Sequence, residues 1–383
     1  MSLPTNFFIG RGGGASFPDP IWSYAVGQSI TFENFNRTTQ SFSGTTLTEA
    51  KNALQSISAY SYGSWGPSVA RFAVPTQGYM DWLVPVSGVW QINLQGAKGG
   101  DGKTSLNGSG GNGGLVRAKF ILPAGCSLRF ICGATGYNES GEGSGGGGGG
   151  TFVFYGSGLT NDVRTNSYAL GSSDTNIKSH CMLVAGGGGG GSHNSTSITY
   201  RNGTNAYSGS EAIGGSGRGN ISRGHQLAED SPIQLGYGQN GYGGTPYTVS
   251  GQDGDWSGGG GAGIITDGSY AQNNGGSSAN PAKRYNAGFI GGEGSHSYGV
   301  NGGFGGGGMG SWGGAGGGGY SGGEADYTVG NNADASGGGG GGNFINTGFS
   351  FSGEQSSYVS YDQNTAGGGG GGGNATISLI EAY

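Results

Sequence analysis

The sequence predicts a mainly β protein: an antiparallel β-sandwich that carries an inserted bundle of glycine helices, behind a small N-terminal module. Three observations predict it. Short segments alternate apolar and polar residues with a period of two. Near-pure glycine tracts recur through the last two thirds of the chain, at Gly145–Gly150, Gly186–Gly191, Gly258–Gly261, Gly305–Gly308, Gly316–Gly319, Gly337–Gly342 and Gly367–Gly373. And 20 Tyr, 16 Phe and 6 Trp accompany the 97 glycines, whereas disordered chains are poor in aromatics.

Residues 1–70 differ in kind from the rest. They are mixed in composition, with Trp22, Phe32, Phe35, Phe42 and Trp65, and one helix is expected over Thr46–Ser58. They read as a separate module or an attachment segment, and residues 71–383 as the sandwich with its glycine-rich insertion.

Strands begin after about Ala70. Trp90, Ile92 and Leu94 share one face of the segment from Val89. Val116, Ala118, Phe120 and Leu122 share a face while Arg117 and Lys119 take the other, and Leu128, Phe130 and Cys132 repeat the pattern. That period predicts antiparallel strands with one buried face. Ala375–Ile380 is a further strand with Ile377 and Leu379 in phase, so everything between it and its partners reads as an insertion. Thr151–Tyr155 and Cys181–Ala185 read as strands leading out of or into glycine tracts.

The tracts are read as extended helices of the polyproline II type. A six-residue tract runs about 19 Å, with amides pointing in three directions, so neighbours can bond laterally where no Cβ holds them apart. Fixing each glycine costs about 1–2 kcal/mol and a net hydrogen bond returns about 0.5–1.5 kcal/mol. A lone tract should therefore be disordered, while several together can be rigid. Flexible linkers are the competing reading, but no sizeable apolar domains lie between the tracts to be linked.

Charge and chemistry narrow the function. Only 10% of residues are charged, the net charge is −6 and the pI is near 5.2, which argues against a nucleic-acid partner. No apolar stretch reaches the ~18 residues of a membrane span. The start, Met1–Asn6, lacks the basic and apolar regions of a signal peptide, so synthesis in a cytosol is expected. Three cysteines make no disulfide framework. Cys126 and Cys132 lie roughly 20 Å apart on a straight strand, against a Cα limit near 7 Å, and are expected as buried thiols.

Enzyme motifs are weak. Gly96–Thr104 approximates a phosphate loop, but position 97 is Ala where the motif needs Gly. The four histidines have no metal spacing, Asp253-Gly-Asp255 lacks a calcium loop, and Glu229-Asp230 sits in a loop-like stretch. No catalytic residue, metal or cofactor is assigned. Binding is the better-supported class, because long connections on rigid scaffolds concentrate binding residues. The connections Gly156–Lys178, Ser192–Tyr247, Ile264–Tyr298, Tyr320–Ala335 and Asn343–Thr365 are rich in Tyr, Asn, Ser and Gly, with Trp256 and Trp312 nearby. That composition resembles antibody loops and also suits carbohydrate. Tyr200, Tyr207, Tyr237, Tyr242 and Tyr285 are the candidate receptor-binding residues; the competing role for each is as a lid packed on a tract.

The run Trp82-Leu-Val-Pro85, Ser87-Gly88, then Ile92–Gly100 resembles the opening of the glycine-rich extracellular domain of the anaplastic lymphoma kinase and leukocyte tyrosine kinase receptors. The order continues through Val116–Gly125, the strand ending at Gly133, Gly145–Phe154, Met182–Ala185 with its glycines, Gly302–Gly305, Gly316–Tyr320 and the closing strand. The match covers roughly residues 78–383. It implies a tumour-necrosis-factor-like jelly roll with polyglycine helices. The chain departs from those receptors in having no transmembrane helix, kinase region or cysteine-rich character. It is also similar to the tail-fibre tip adhesins of T-even-like bacteriophages, whose glycine helices scaffold receptor-binding loops. That resemblance implies a virion protein that attaches to a bacterial surface glycan or outer-membrane protein. It implies docking to other tail proteins through the N-terminal region, with a homotrimer as one assembly such fibre proteins form. The alternatives are a structural spacer and a secreted ligand-binding module.

Overall fold

The computed structural model of the 383-residue chain describes residues 26–27, 29–33, 72–76, 79–84, 86–102, 108–123, 126–139, 143–156, 173–193, 201–213, 218–219, 236–246, 257–273, 276–278, 280–294, 299–326, 335–350 and 357–383. The expected helix over Thr46–Ser58 lies outside these residues, as do Trp256, Asp253-Gly-Asp255 and Glu229-Asp230.

In chain order the strands are β1 (Ser29–Glu33), β2 (Phe72–Thr76), β3 (Tyr79–Leu83), β4 (Gly88–Gln95), β5 (Gly113–Leu122), β6 (Ser127–Ile131) and β7 (Thr151–Gly156). After helix α1 (Asp174–His180) come β8 (Cys181–Ala185), β9 (Ala271–Asn273), β10 (Gly276–Ser278), β11 (Phe344–Ile345), β12 (Tyr358–Gly369) and β13 (Asn374–Ala382). One sheet has the order β1-β13-β4-β5-β12 and the other β11-β8-β7-β6-β3-β2; β9 and β10 form a small hairpin. Every pairing of named strands is antiparallel.

The two sheets share one core. Trp90, Ile92 and Leu94 of β4, Val116 through Leu122 in alternation on β5, and Ile377 and Leu379 of β13 meet Trp82, Leu128, Phe130, Val153 and Leu183 from the other sheet. Trp82 packs edge-on to Trp90 at 5.5 Å. The alternation expected of β4, β5 and β13 is seen as strictly alternating burial over Ile92–Gln95, Leu115–Leu122 and Asn374–Leu379. β13 pairs with β4, Ile377 opposite Ile92, so the segment between them is inserted, as expected.

The described residues depart from the expectations at four places. Within the N-terminal stretch, Ser29–Glu33 belong to the sandwich: β1 pairs with β13, and its Phe32 stacks on Phe130 at 4.2 Å inside the shared core. A strand whose one aromatic fills the core is bound to the sheet, whatever the composition around it. The second concerns β6, expected to have one buried face, together with its sheet neighbour β8. All five residues of each are buried. Their outer face, with Ile131, Phe152 and Phe154 of β7 and Val184, is covered by Ile264, Ile265, Tyr285, Phe289, Phe304 and Tyr320 from the glycine-rich insertion. Third, the stretch after Gly156, expected as a connection, contains α1, capped by Ser173. Fourth, β12 occupies residues expected as the end of a connection and the start of the last glycine tract. Gly367–Gly369 finish β12 and the following glycines turn into β13, with Gly370 and Gly371 in open space.

The other tracts are buried and bonded side to side. In Gly145–Gly150 the amides of Gly145 and Gly148 go to Gly191 and Gly188, those of Gly146 and Gly149 to Tyr137 and Ala134, and those of Gly147 and Gly150 to Gly308 and Gly305. Each direction recurs every third residue. In Gly186–Gly191, Gly188 and Gly191 donate to Ala97 and Gly100, and Gly187 and Gly190 to Gly318 and Ala315. Backbones this close leave no room for side chains: a Cβ on Gly187 would fall inside contact distance of the Gly148 carbonyl, and one on Gly317 inside that of Gly187. The three free cysteines include buried Cys132 and Cys181, with Cys126 packed partly buried against the shared core. Among the described residues no helix is long and apolar enough to cross a membrane.

Candidate functional site

Three segments of the insertion converge because each is hydrogen-bonded to a glycine tract. Tyr207 donates its amide to Gly341 and accepts from Asn343. Two residues on, Gly209 precedes a 3-10 turn over Ser210–Ala212, which buries Ala212 and sets Glu211 one turn from Tyr207. The Gly219 amide bonds to Gly238, whose own amide bonds to Gly322, so Arg218 and Tyr237 are held beside each other.

The result is a compact Tyr–Arg–Tyr–Glu cluster. The Arg218 guanidinium carbon lies 4.3 Å from the centroid of the Tyr207 ring and 4.9 Å from that of Tyr237. Arg218 Nη1 donates to the Tyr237 hydroxyl at 3.0 Å. The Tyr207 hydroxyl donates to Glu211 Oε2 at 2.5 Å, and Glu211 Oε1 stands 4.0 Å from Arg218 Nε. A guanidinium between aromatic faces is favourable by about 0.5–1 kcal/mol at exposed sites. The Arg218 and Glu211 side chains are 32% and 42% exposed, so the cluster faces water.

Its titration follows from these contacts. Burial, then the hydrogen bond to Glu211, raises the pKa of Tyr207. The Tyr207 hydrogen bond leads in lowering that of Glu211. For Arg218 burial acts downward, but the two tyrosines outweigh it and the net shift is upward. At neutral pH Arg218 is therefore a cation, Glu211 an anion and Tyr207 a neutral phenol. The cluster contains no nucleophile paired with a base, and among the described residues no group of His, Cys, Asp or Glu could hold a metal ion.

The candidate tyrosines fare differently. Tyr207 and Tyr237 are brought together. Tyr237 is buried apart from its hydroxyl's contact with Arg218. Tyr242 is 47% exposed, and Lys178 Nζ of α1 lies 5.7 Å from its ring centroid. Tyr200 lies outside the described residues. Tyr285 takes the packed role offered as the alternative: it is 3% exposed, lies 4.6 Å from Phe154 between ring centroids, and accepts a hydrogen bond from buried Arg129 Nη1 at 2.8 Å. The apolar outer face of the β6–β8 sheet needs a cover, and Tyr285 is part of it. Trp312 is half-buried with its ring edge-on to His193 at 4.7 Å.

Arg218 and Glu211 were missed by the sequence reading. The one signal for them is scarcity, since the chain has 16 Lys and Arg in all and Arg218 is set among glycines. No protein-family model matches the chain, and no curated protein matches it.

Proposed function

We propose that this protein is a receptor-binding component of a bacteriophage tail fibre or tail tip, attaching to a bacterial surface glycan or outer-membrane protein. In this reading its glycine tracts are polyglycine helices of the polyproline II type and its two sheets a jelly roll. The repeat of each hydrogen-bond direction at every third residue supports the first. Residues at the N-terminal end dock to other tail proteins, and the protein resides in the virion.

One observation carries the binding reading: Tyr207, Arg218, Tyr237 and Glu211, drawn from separate segments, are fixed together on the glycine body, with the charged groups of Arg218 and Glu211 reaching water over the buried Tyr237. Rigid tyrosines with an arginine are the residue types on which recognition surfaces concentrate their energy, because few rotamers are lost on contact. The test is adsorption of the purified full chain to intact bacteria and to their extracted surface polysaccharides. The full chain is needed because Phe32 belongs to the core. Saturable binding that Arg218→Ala weakens at least tenfold, with an unchanged circular dichroism spectrum, is expected. A folded protein that binds no bacterial surface returns the glycine body to a structural spacer.

A further inference from the structure

We infer that a second site, sharing no residue with the tyrosine–arginine cluster, binds a single neutral sugar ring through vicinal hydroxyls. It is a cleft of about 260 Å³ where the segment after β4 meets the segment after β6, lined by Lys98, Asp101, Thr135, Tyr137 and Asn138 with Gly99 and Gly136. Drug-sized ligands occupy about 300–1,000 Å³, so this cleft takes one ring.

The polar groups in it are held in place. Asp101 donates its amide to Asn138 Oδ1 at 2.8 Å and accepts at its carbonyl from the Glu139 amide at 3.0 Å. Its Oδ1 accepts from Lys98 Nζ at 2.6 Å and from the Gly110 amide at 2.8 Å. Tyr137 is clamped through both backbone groups, its amide to Asn301 and its carbonyl from Gly146. Gly136 donates to the Lys98 carbonyl at 3.0 Å, which ties the two walls together.

What these bonds leave over defines the ligand. Asp101 Oδ2 is an acceptor without a partner among the described residues. Asn138 has its oxygen committed, so its amide nitrogen is the donor that remains, beside the further protons of Lys98 Nζ. A carboxylate oxygen next to amide and ammonium donors matches adjacent hydroxyls, each of which donates and accepts. The half-buried Tyr137 supplies a ring for the sugar's C–H face. Lys98 is matched by Asp101 within the cleft, so there is no surplus positive charge for a phosphate or a sugar acid. The segment from Gly96 that approximates a phosphate loop in sequence is thus a wall of a neutral site.

The inference does not depend on the phage reading and is tested without bacteria. The full chain is titrated with galactose, glucose, mannose and N-acetylglucosamine, with N-acetylneuraminic acid and glucose 6-phosphate as anionic probes, by calorimetry and saturation-transfer NMR. At least one neutral sugar is expected to bind with a Kd of about 1 mM, the scale for so small a ligand. Tyr137→Ala and Asn138→Ala should each weaken it tenfold or more, while Arg218→Ala leaves it unchanged. An unchanged circular dichroism spectrum and urea midpoint for each variant separates lost contact from lost fold. Binding of none of the neutral sugars, preference for the anionic probes, or undiminished binding by both cleft variants would overturn the inference.

Discussion

Replacing Gly187 by alanine tests whether the glycine body is held by backbone contact alone. Gly187 donates to Gly318 at 2.7 Å and accepts from Gly341 at 2.8 Å, and its neighbour Gly188 accepts from Gly148 at 2.8 Å. The new Cβ would need the place now filled by the Gly148 carbonyl. Backbone must therefore move, and the bonds between these tracts break where no water replaces them. Each buried group left without a partner costs about 1–3 kcal/mol. Two such groups, less the roughly 0.4–1 kcal/mol that alanine gains by restricting the unfolded chain, give a loss of about 1–6 kcal/mol. Gly370 provides the internal control: a Cβ there meets nothing within 4 Å. Gly370→Ala should be neutral or stabilising by about 0.4–1 kcal/mol. Urea denaturation followed by tryptophan fluorescence reads both. Equal midpoints for the two variants would refute the claim that close backbone approach, and not composition, makes the buried tracts glycine.

Other expectations follow from single contacts. Tyr285→Phe removes the acceptor of a buried arginine bond and should cost about 1.5–3 kcal/mol in the same denaturation assay, with adsorption intact; normal stability with lost adsorption would return Tyr285 to the receptor surface. Burial raises the Cys181 thiol well above its ordinary value, and Cys132 is fully buried. Peptide mapping after iodoacetamide at pH 8 should find both unmodified in native protein and alkylated after unfolding. The Tyr207–Glu211 bond sets a pH window. The lowered Glu211 stabilises the fold above its ordinary value of 4.5, and that contribution is lost as pH falls through its folded-state value. The raised Tyr207 stabilises the fold below its ordinary value of 10.0, and that contribution is lost as pH rises through its folded-state value. A stability profile across pH should therefore flatten at both ends in Tyr207→Phe; an unchanged profile would show the bond absent.

The strands that alternate were legible in the residues. Trp90, Ile92 and Leu94, and Val116 through Leu122, show their buried face because a strand lying between core and water imposes a period of two. The wide separation of Ala375–Ile380 from its partner β4 was legible for the same reason. The purity of tracts such as Gly186–Gly191 favoured lateral packing over flexible linkers, and they are bonded side to side. Composition alone hid what depends on contacts distant in sequence. Phe32 looks like any aromatic in a mixed segment until β1 pairs with β13. Arg129 alternates like a solvent-facing residue on β6, yet it is 3% exposed because the insertion folds back over that face. Tyr207 and Tyr285 are the same residue type in similar Gly- and Asn-rich surroundings. One joins an exposed cluster with Arg218 and the other fills a core. The difference lies in which surface each meets: Tyr207 is bonded beside Gly341 and Asn343 with its ring under Arg218, while Tyr285 is laid against Phe154. Local pattern determined the alternating strands such as β4, β5 and β13 and that the buried glycine tracts pack; only the tertiary arrangement made strands of β1 and β12 and decided which aromatics face water, because burial and pairing are properties of the surfaces and edges that meet.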